Sequence, residues 1–175
     1  ITVQPANASL NITQEQKITL TFDELLDPVS IPASIQIEFD LDYKLKIRGR
    51  KLIIYPDKIW PSEDIVRINI SRNIRDYQKN MMSQPIQLIY STGLKIPNGA
   101  IIGEIVGYNP NKLIEIGLYE WPLSDSSTFI QKVEANEKGQ FQFSNIDYGE
   151  YSITALEGVL RDMNKQIEKK NYALL

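Results

Sequence analysis

The chain has 175 residues, 42% of them apolar and 23% charged, enough to bury one core or two small ones of 80 to 90 residues each. Its 19 Lys and Arg against 22 Asp and Glu leave a net charge of −3, so no basic excess points to nucleic acid. Histidine and cysteine are absent, which excludes disulfides, thiolate chemistry, and the commonest general base and soft metal ligands.

No apolar run approaches the roughly 20 residues needed to span a bilayer. The chain opens at Ile1 without a signal-peptide pattern, as expected of a processed protein or an excised fragment. Period-two alternation then predicts strands almost throughout. Ile18, Leu20 and Phe22 share a face, followed by Ile35, Ile37 and Phe39, then Tyr43, Leu45 and Ile47, then Leu52 and Ile54. Parity suggests a three-stranded meander over these residues. Its first turn is Asp40-Leu41-Asp42, with Glu38 opposite Lys44, and its second is Gly49-Arg50, where Gly in first position suits type II′. Val66, Ile68 and Ile70 and then Ile86, Leu88 and Tyr90 complete the first half.

After a joint at Thr92 to Gly99 the alternation resumes with Ile101, Gly103 and Ile105, then Ile114, Ile116 and Leu118. Glu137-Lys138-Gly139 reads as a three-residue hairpin loop pairing Ala135 with Phe141 and Val133 with Phe143. Tyr151, Ile153 and Ala155 form the last predicted strand. From Leu160 to Leu175 the chain is polar, with a short helical turn expected around Asn164 to Lys169 and a possible continuation into further sequence. The predicted architecture is all-β: two tandem β-sandwiches over residues 1–93 and 98–159, the first of about seven strands, and a polar tail over 160–175.

Residues 1–93 resemble a bacterial Ig-like domain of the S-layer and surface-protein type. The resemblance rests on Gln4-Pro5-Ala6-Asn7-Ala8-Ser9, Ile18 to Glu24, Leu52-Ile53-Ile54-Tyr55-Pro56, Ile74-Arg75-Asp76 with Asn80, and Tyr90-Ser91-Thr92-Gly93. The usual Asp-x-x-Gly-Asn reads Asp76-Tyr77-Gln78-Lys79-Asn80, without the glycine. Residues 98–159 resemble the transthyretin-like, carboxypeptidase-regulatory-type sandwich through Ile102-Gly103-Glu104-Ile105-Val106, Ile116-Gly117-Leu118-Tyr119, Gly139 to Phe143 and Ile146 to Tyr151. That order is similar to Bacteroidetes-type outer-membrane lipoproteins. The resemblance implies a non-catalytic scaffold or accessory subunit at the bacterial outer membrane, cell surface or periplasm, with protein partners. It implies membrane attachment only through a lipid anchor upstream of this chain.

Catalysis finds no support in the motifs: Gly-x-Ser-x-Gly, Ser-x-x-Lys and phosphate-cradling glycine loops are absent, and no cofactor or metal is expected. The acidic loop Asp23 to Asp27, with Asp76 and Asn80, offers oxygens to calcium, but its spacing fits turn-capping by Asp23 and Asp76 better. Lys44, Lys46, Arg48, Arg50 and Lys51 form a basic stripe, either edge protection or a surface for an anionic partner. Trp60 reads as the plug of a sandwich end. Tyr119 and Trp121 share the parity opposite Leu118 and are expected outward, stacking on glycan, anchoring a protein interface or covering the neighbouring domain. The candidate interaction surface is therefore Tyr119, Trp121, Lys44, Lys46 and Arg48. The competing readings are a glycan-binding or adhesive module and an accessory domain of a larger secreted enzyme.

Overall fold

The computed structural model describes residues 1–38, 41–109, 111–124, 127–158, 160 and 172–174. It is all-β, as the alternation predicts, and divides into two compact units, Ile1–Ile96 and Pro97–Leu175.

In the first unit one sheet runs β1 (Thr2–Gln4), β2 (Ile18–Thr21), β5 (Lys51–Pro56), β4 (Tyr43–Arg48). The facing sheet runs β3 (Ile35–Ile37), β6 (Ile65–Ile70), β7 (Ile86–Ser91). Registry follows burial. Leu20 lies opposite Leu52, Ile18 opposite Ile54, Val66 opposite Tyr90, and Ile68 opposite Leu88, all in one apolar cluster with Trp60. The Gly49-Arg50 turn between β4 and β5 is confirmed, with Ile47 opposite Leu52 and Gly49 at φ 61°.

The three-stranded meander is corrected. β3 pairs with β6 in the facing sheet, Ile35 opposite Ile70 and Ile37 opposite Ile68, rather than with β4. Accordingly Glu38 pairs with Arg67 at 3.4 Å, and Lys44 pairs with Asp57 instead. Both inner sheet faces present the same apolar alternation, so parity assigns a side chain to the core without choosing between sheets. Phe39, at the end of the predicted strand, and Asp40 of the proposed turn lie outside the described residues.

The recurrent motifs of this unit hold the sandwich together. Asn7 Oδ1 accepts from the Ile89 N–H at 2.8 Å and Asn7 Nδ2 donates to Gln87 O at 3.2 Å, stitching the segment after β1 to β7. Thr92 Oγ1 donates to Pro61 O at 2.7 Å and accepts from the Asp64 N–H at 3.0 Å. Trp60 is fully buried and its Nε1 donates to Gln16 O at 2.8 Å. Lys79, standing where the pattern has glycine, adopts φ 70°, a conformation glycine takes without steric cost. Its Nζ reaches Asp27 at 2.6 Å, so the lysine supplies an ion pair that glycine would lack.

In the second unit one sheet runs β10 (Gln131–Glu134), β9 (Ile114–Glu120), β12 (Tyr151–Glu157), β13 (Tyr172–Leu174), and the other pairs β11 (Gln140–Ile146) with β8 (Gly99–Glu104). Ile114, Ile116, Leu118, Val133, Phe141, Phe143 and Ala155 fill the space between. Gly103 lies opposite Phe141, whose ring occupies the volume a side chain there would need.

Two expectations change here. The loop at Glu137 to Gly139 forms a turn, Gly139 N–H to Asn136 O at 3.0 Å, but β10 pairs with β9 and β11 with β8. Val133 thus lies opposite Ile116 and Phe143 opposite Ile101, the turn carrying the chain from one sheet to the other. The polar tail contributes a strand, β13, antiparallel to β12 with Ala173 opposite Ala155. The expected helical turn at Asn164 to Lys169 lies outside the described residues.

Candidate functional site

The outward face of the four-stranded sheet in the first unit is built by alternation. With Leu45 and Ile47 turned to the core, β4 presents Lys44, Lys46 and Arg48 outward, all exposed. On β5 the same parity presents Lys51, Ile53 and Tyr55, registered against Arg48, Lys46 and Lys44 respectively. On β2 it presents Thr19 and Thr21, with Lys17 just before the strand, and on β1 Thr2 and Gln4. Asp57 is the one carboxylate among the described residues that pairs with this grid. Its contact holds the Lys44 ammonium above the ordinary lysine value, and Lys44 holds Asp57 below the ordinary carboxylate value. Lys17, Lys46, Arg48 and Lys51 form no ion pair with described residues. The structure therefore brings four residues of the sequence-selected stripe together, Lys44, Lys46, Arg48 and Lys51, and adds Lys17 and the threonines. Arg50 sits in the turn, its Nη1 donating to Asp23 O at 3.3 Å.

Tyr119 and Trp121 do not form the expected outward pair. Tyr119 does lie on the side opposite Leu118, but it is only 1% exposed whereas Trp121 is 61% exposed. The chain after β9 folds back over its own sheet, with the Ile130 N–H on Leu118 O at 2.8 Å. This brings Phe129 within 4.8 Å of the Tyr119 ring, centroid to centroid. Gly117 makes that cover possible: a Cβ there would stand 2.6 Å from the Phe129 ring. Leu123, Leu156 and Leu160 complete a small apolar cluster on what parity marks as an outer face.

The same covered face holds a buried ion pair. Lys132 Nζ lies 3.1 Å from Glu115 Oε2, and the two side chains keep 10% and 16% exposure. Leu160 closes it, its N–H donating to Glu115 Oε2 at 2.6 Å and its carbonyl accepting from Lys132 at 3.1 Å. Both residues alternate with the buried Ile116 and Val133, and the residues that cover them, Leu160 above all, are distant in the chain.

The acidic loop resolves into turn chemistry. Asp76 accepts from the Asn80 N–H and side chain, both at 2.9 Å, and these contacts hold its carboxyl below the ordinary value. Glu24, sharing a hydrogen bond with Asp76 and repelled by its charge, is pushed up. Asp23 departs from the expectation: it meets Arg50 through its backbone carbonyl, and its side chain caps no turn among the described residues. Among the described residues no cluster of three or more Asp, Glu, His or Cys side chains is placed to hold a metal ion, and no helix is long and apolar enough to cross a membrane.

Two facing sheets of seven strands, the Asn7 and Thr92 clamps and the Asp76 turn all lie within a segment that matches a known family: residues 1–92 match the bacterial Ig-like domain. The chain belongs to that family. Membership places the Ig-like unit among bacterial surface domains and interaction modules. No curated protein matches the chain. Among solved structures, the L,D-transpeptidase from Mycobacterium smegmatis is similar at 12% identity and a TM-score of 0.41, over 86% of this chain and 87% of that one.

Proposed function

We propose that the chain is a non-catalytic interaction module of a bacterial envelope protein. It works outside the cytoplasm as a scaffold or accessory subunit of an outer-membrane assembly, held to the membrane by a lipid anchor outside this chain and engaging protein partners there. The observation that supports this most directly is the Ig-like match over residues 1–92. Supporting the transthyretin-like assignment of the second unit are its two facing sheets and the turn from Asp147 to Glu150, where Tyr151 Oη donates to Asp147 O at 2.6 Å just ahead of β12.

The test is fractionation of the full-length protein in its own bacterium. Protease added to intact cells, or to cells with a permeabilised outer membrane, should cleave it, and blocking lipoprotein signal processing should shift its membrane partitioning. Recovery in the cytoplasmic fraction, protected from protease until lysis, would refute the proposal.

A further inference from the structure

The outward face of the β1-β2-β5-β4 sheet has a charge arrangement that edge protection does not account for. Lysines along an exposed edge strand discourage strand addition, and β4 is such an edge. Lys51, however, lies on β5 and Lys17 immediately before β2, and both of these strands are inner ones. Arg48 and Lys51 stand directly opposite each other in the ladder, a like-charge pair that costs stability. A local rule broken without a neutralising carboxylate, in a chain whose net charge is −3, marks a surface shaped by something other than folding.

We propose that this face binds a linear anionic glycan, one bearing carboxylates along an extended polymer. Along β4 the cations recur at every second residue, about 7 Å apart. Lys51 and Lys17 extend the positive field across the sheet. Thr19, Thr21, Thr2 and Gln4 lie beside them with hydroxyl and amide groups suited to sugar hydroxyls. Tyr55, half-buried, stands opposite Lys44 in the ladder and adds an aromatic side chain at that end.

A protein partner fits this face less well, because protein interfaces concentrate apolar and aromatic anchors at their centre and are depleted in lysine. The centre here is Ile53, half-buried. A bilayer surface also fits less well, since among the described residues no large apolar side chain protrudes from the face to enter the acyl region. This inference deepens the envelope reading by naming the chemistry of one partner, and it is tested separately, on the isolated chain.

The experiment measures binding of the chain to polygalacturonate at low salt by calorimetry, with neutral dextran, poly-L-glutamate and phosphatidylglycerol vesicles as comparisons. Binding to polygalacturonate should be the tightest, should weaken as salt rises, and should fall about tenfold in Lys46→Ala/Arg48→Ala/Lys51→Ala. Lys112→Ala/Lys138→Ala, which removes two cations from the second unit, should bind as the parent does. Three results overturn the proposal: no binding to polygalacturonate, tighter binding to poly-glutamate or vesicles, or equal losses in both variants. Circular dichroism of each variant separates lost binding from lost folding. Failure here leaves the envelope location standing, and a cytoplasmic location leaves the measured binding standing.

Discussion

Lys132→Met breaks the ion pair sealed onto the outer face of β9 and β10 and takes the side-chain donor from the Leu160 carbonyl. The substitution keeps an unbranched apolar stem and removes the ammonium, leaving the Glu115 carboxylate, 16% exposed in the parent, with the Leu160 N–H as a remaining partner at 2.6 Å. Removing one member of a buried pair costs roughly 3–5 kcal/mol, because the other charge is left uncompensated. The residual exposure and the surviving charge-assisted hydrogen bond put this case at the lower end, about 3 kcal/mol. Taking both charges away is different in kind. Lys132→Met/Glu115→Leu replaces the pair by apolar bulk, often neutral or better in itself, and strips the Leu160 N–H of its acceptor at about 1–2 kcal/mol. The double variant should therefore be more stable than the single one by about 1–2 kcal/mol. Urea unfolding of the second unit followed by circular dichroism gives both numbers. A single-variant loss under about 1 kcal/mol, or a double variant less stable than the single, would show that the pair behaves as a surface contact.

Trp60→Ala should destabilise the Ig-like unit by about 4 kcal/mol, since it empties a fully buried ring site and orphans the Gln16 carbonyl. Trp60→Phe should cost clearly less in the same thermal melts, and equal losses would mean that the ring volume is irrelevant. Asp27 is held below its ordinary value of 3.8, first by the hydrogen bond from Lys79. Its stabilisation is therefore complete above that value and is lost as pH falls through the lower folded-state value. Lys79→Ala should flatten the fall in stability below about pH 4, and an acid slope identical to the parent's would contradict the assignment.

Which residues point inward was legible because burial at every second position is a property of a single strand. Ile18, Leu20, Leu52, Ile54, Val66 and Ile68 needed no knowledge of their neighbours. Strand partners are a property of pairs, and there the alternation was silent. Ile35 and Ile37 are inward whether β3 lies beside β4 or beside β6, and Phe141 and Phe143 whether β11 lies beside β10 or beside β8. Tyr119 shows a third limit. Its side of the sheet was correctly read, yet exposure depended on an aperiodic excursion that lays Leu123 and Phe129 against the cluster around the Tyr119 ring.

The contrast between the two four-stranded sheets bears directly on where a ligand is met. In the second unit Leu123, Phe129 and Leu160 occupy the outer face, and the charges beneath them neutralise each other at 3.1 Å. Desolvating such a pair is tolerable because each charge faces its partner. In the Ig-like unit the corresponding outer face is uncovered by described residues, and its lysines and arginine face water with a single carboxylate, Asp57, at one end. Unneutralised like charges on a regular lattice repel one another, and an incoming polyanion relieves that repulsion where a neutral surface does not. The same fold class thus closes one sheet with its own chain and leaves the other poised for a charged partner, and the difference comes from Gly117 and Phe129 on one side and from Lys46, Arg48 and Lys51 on the other.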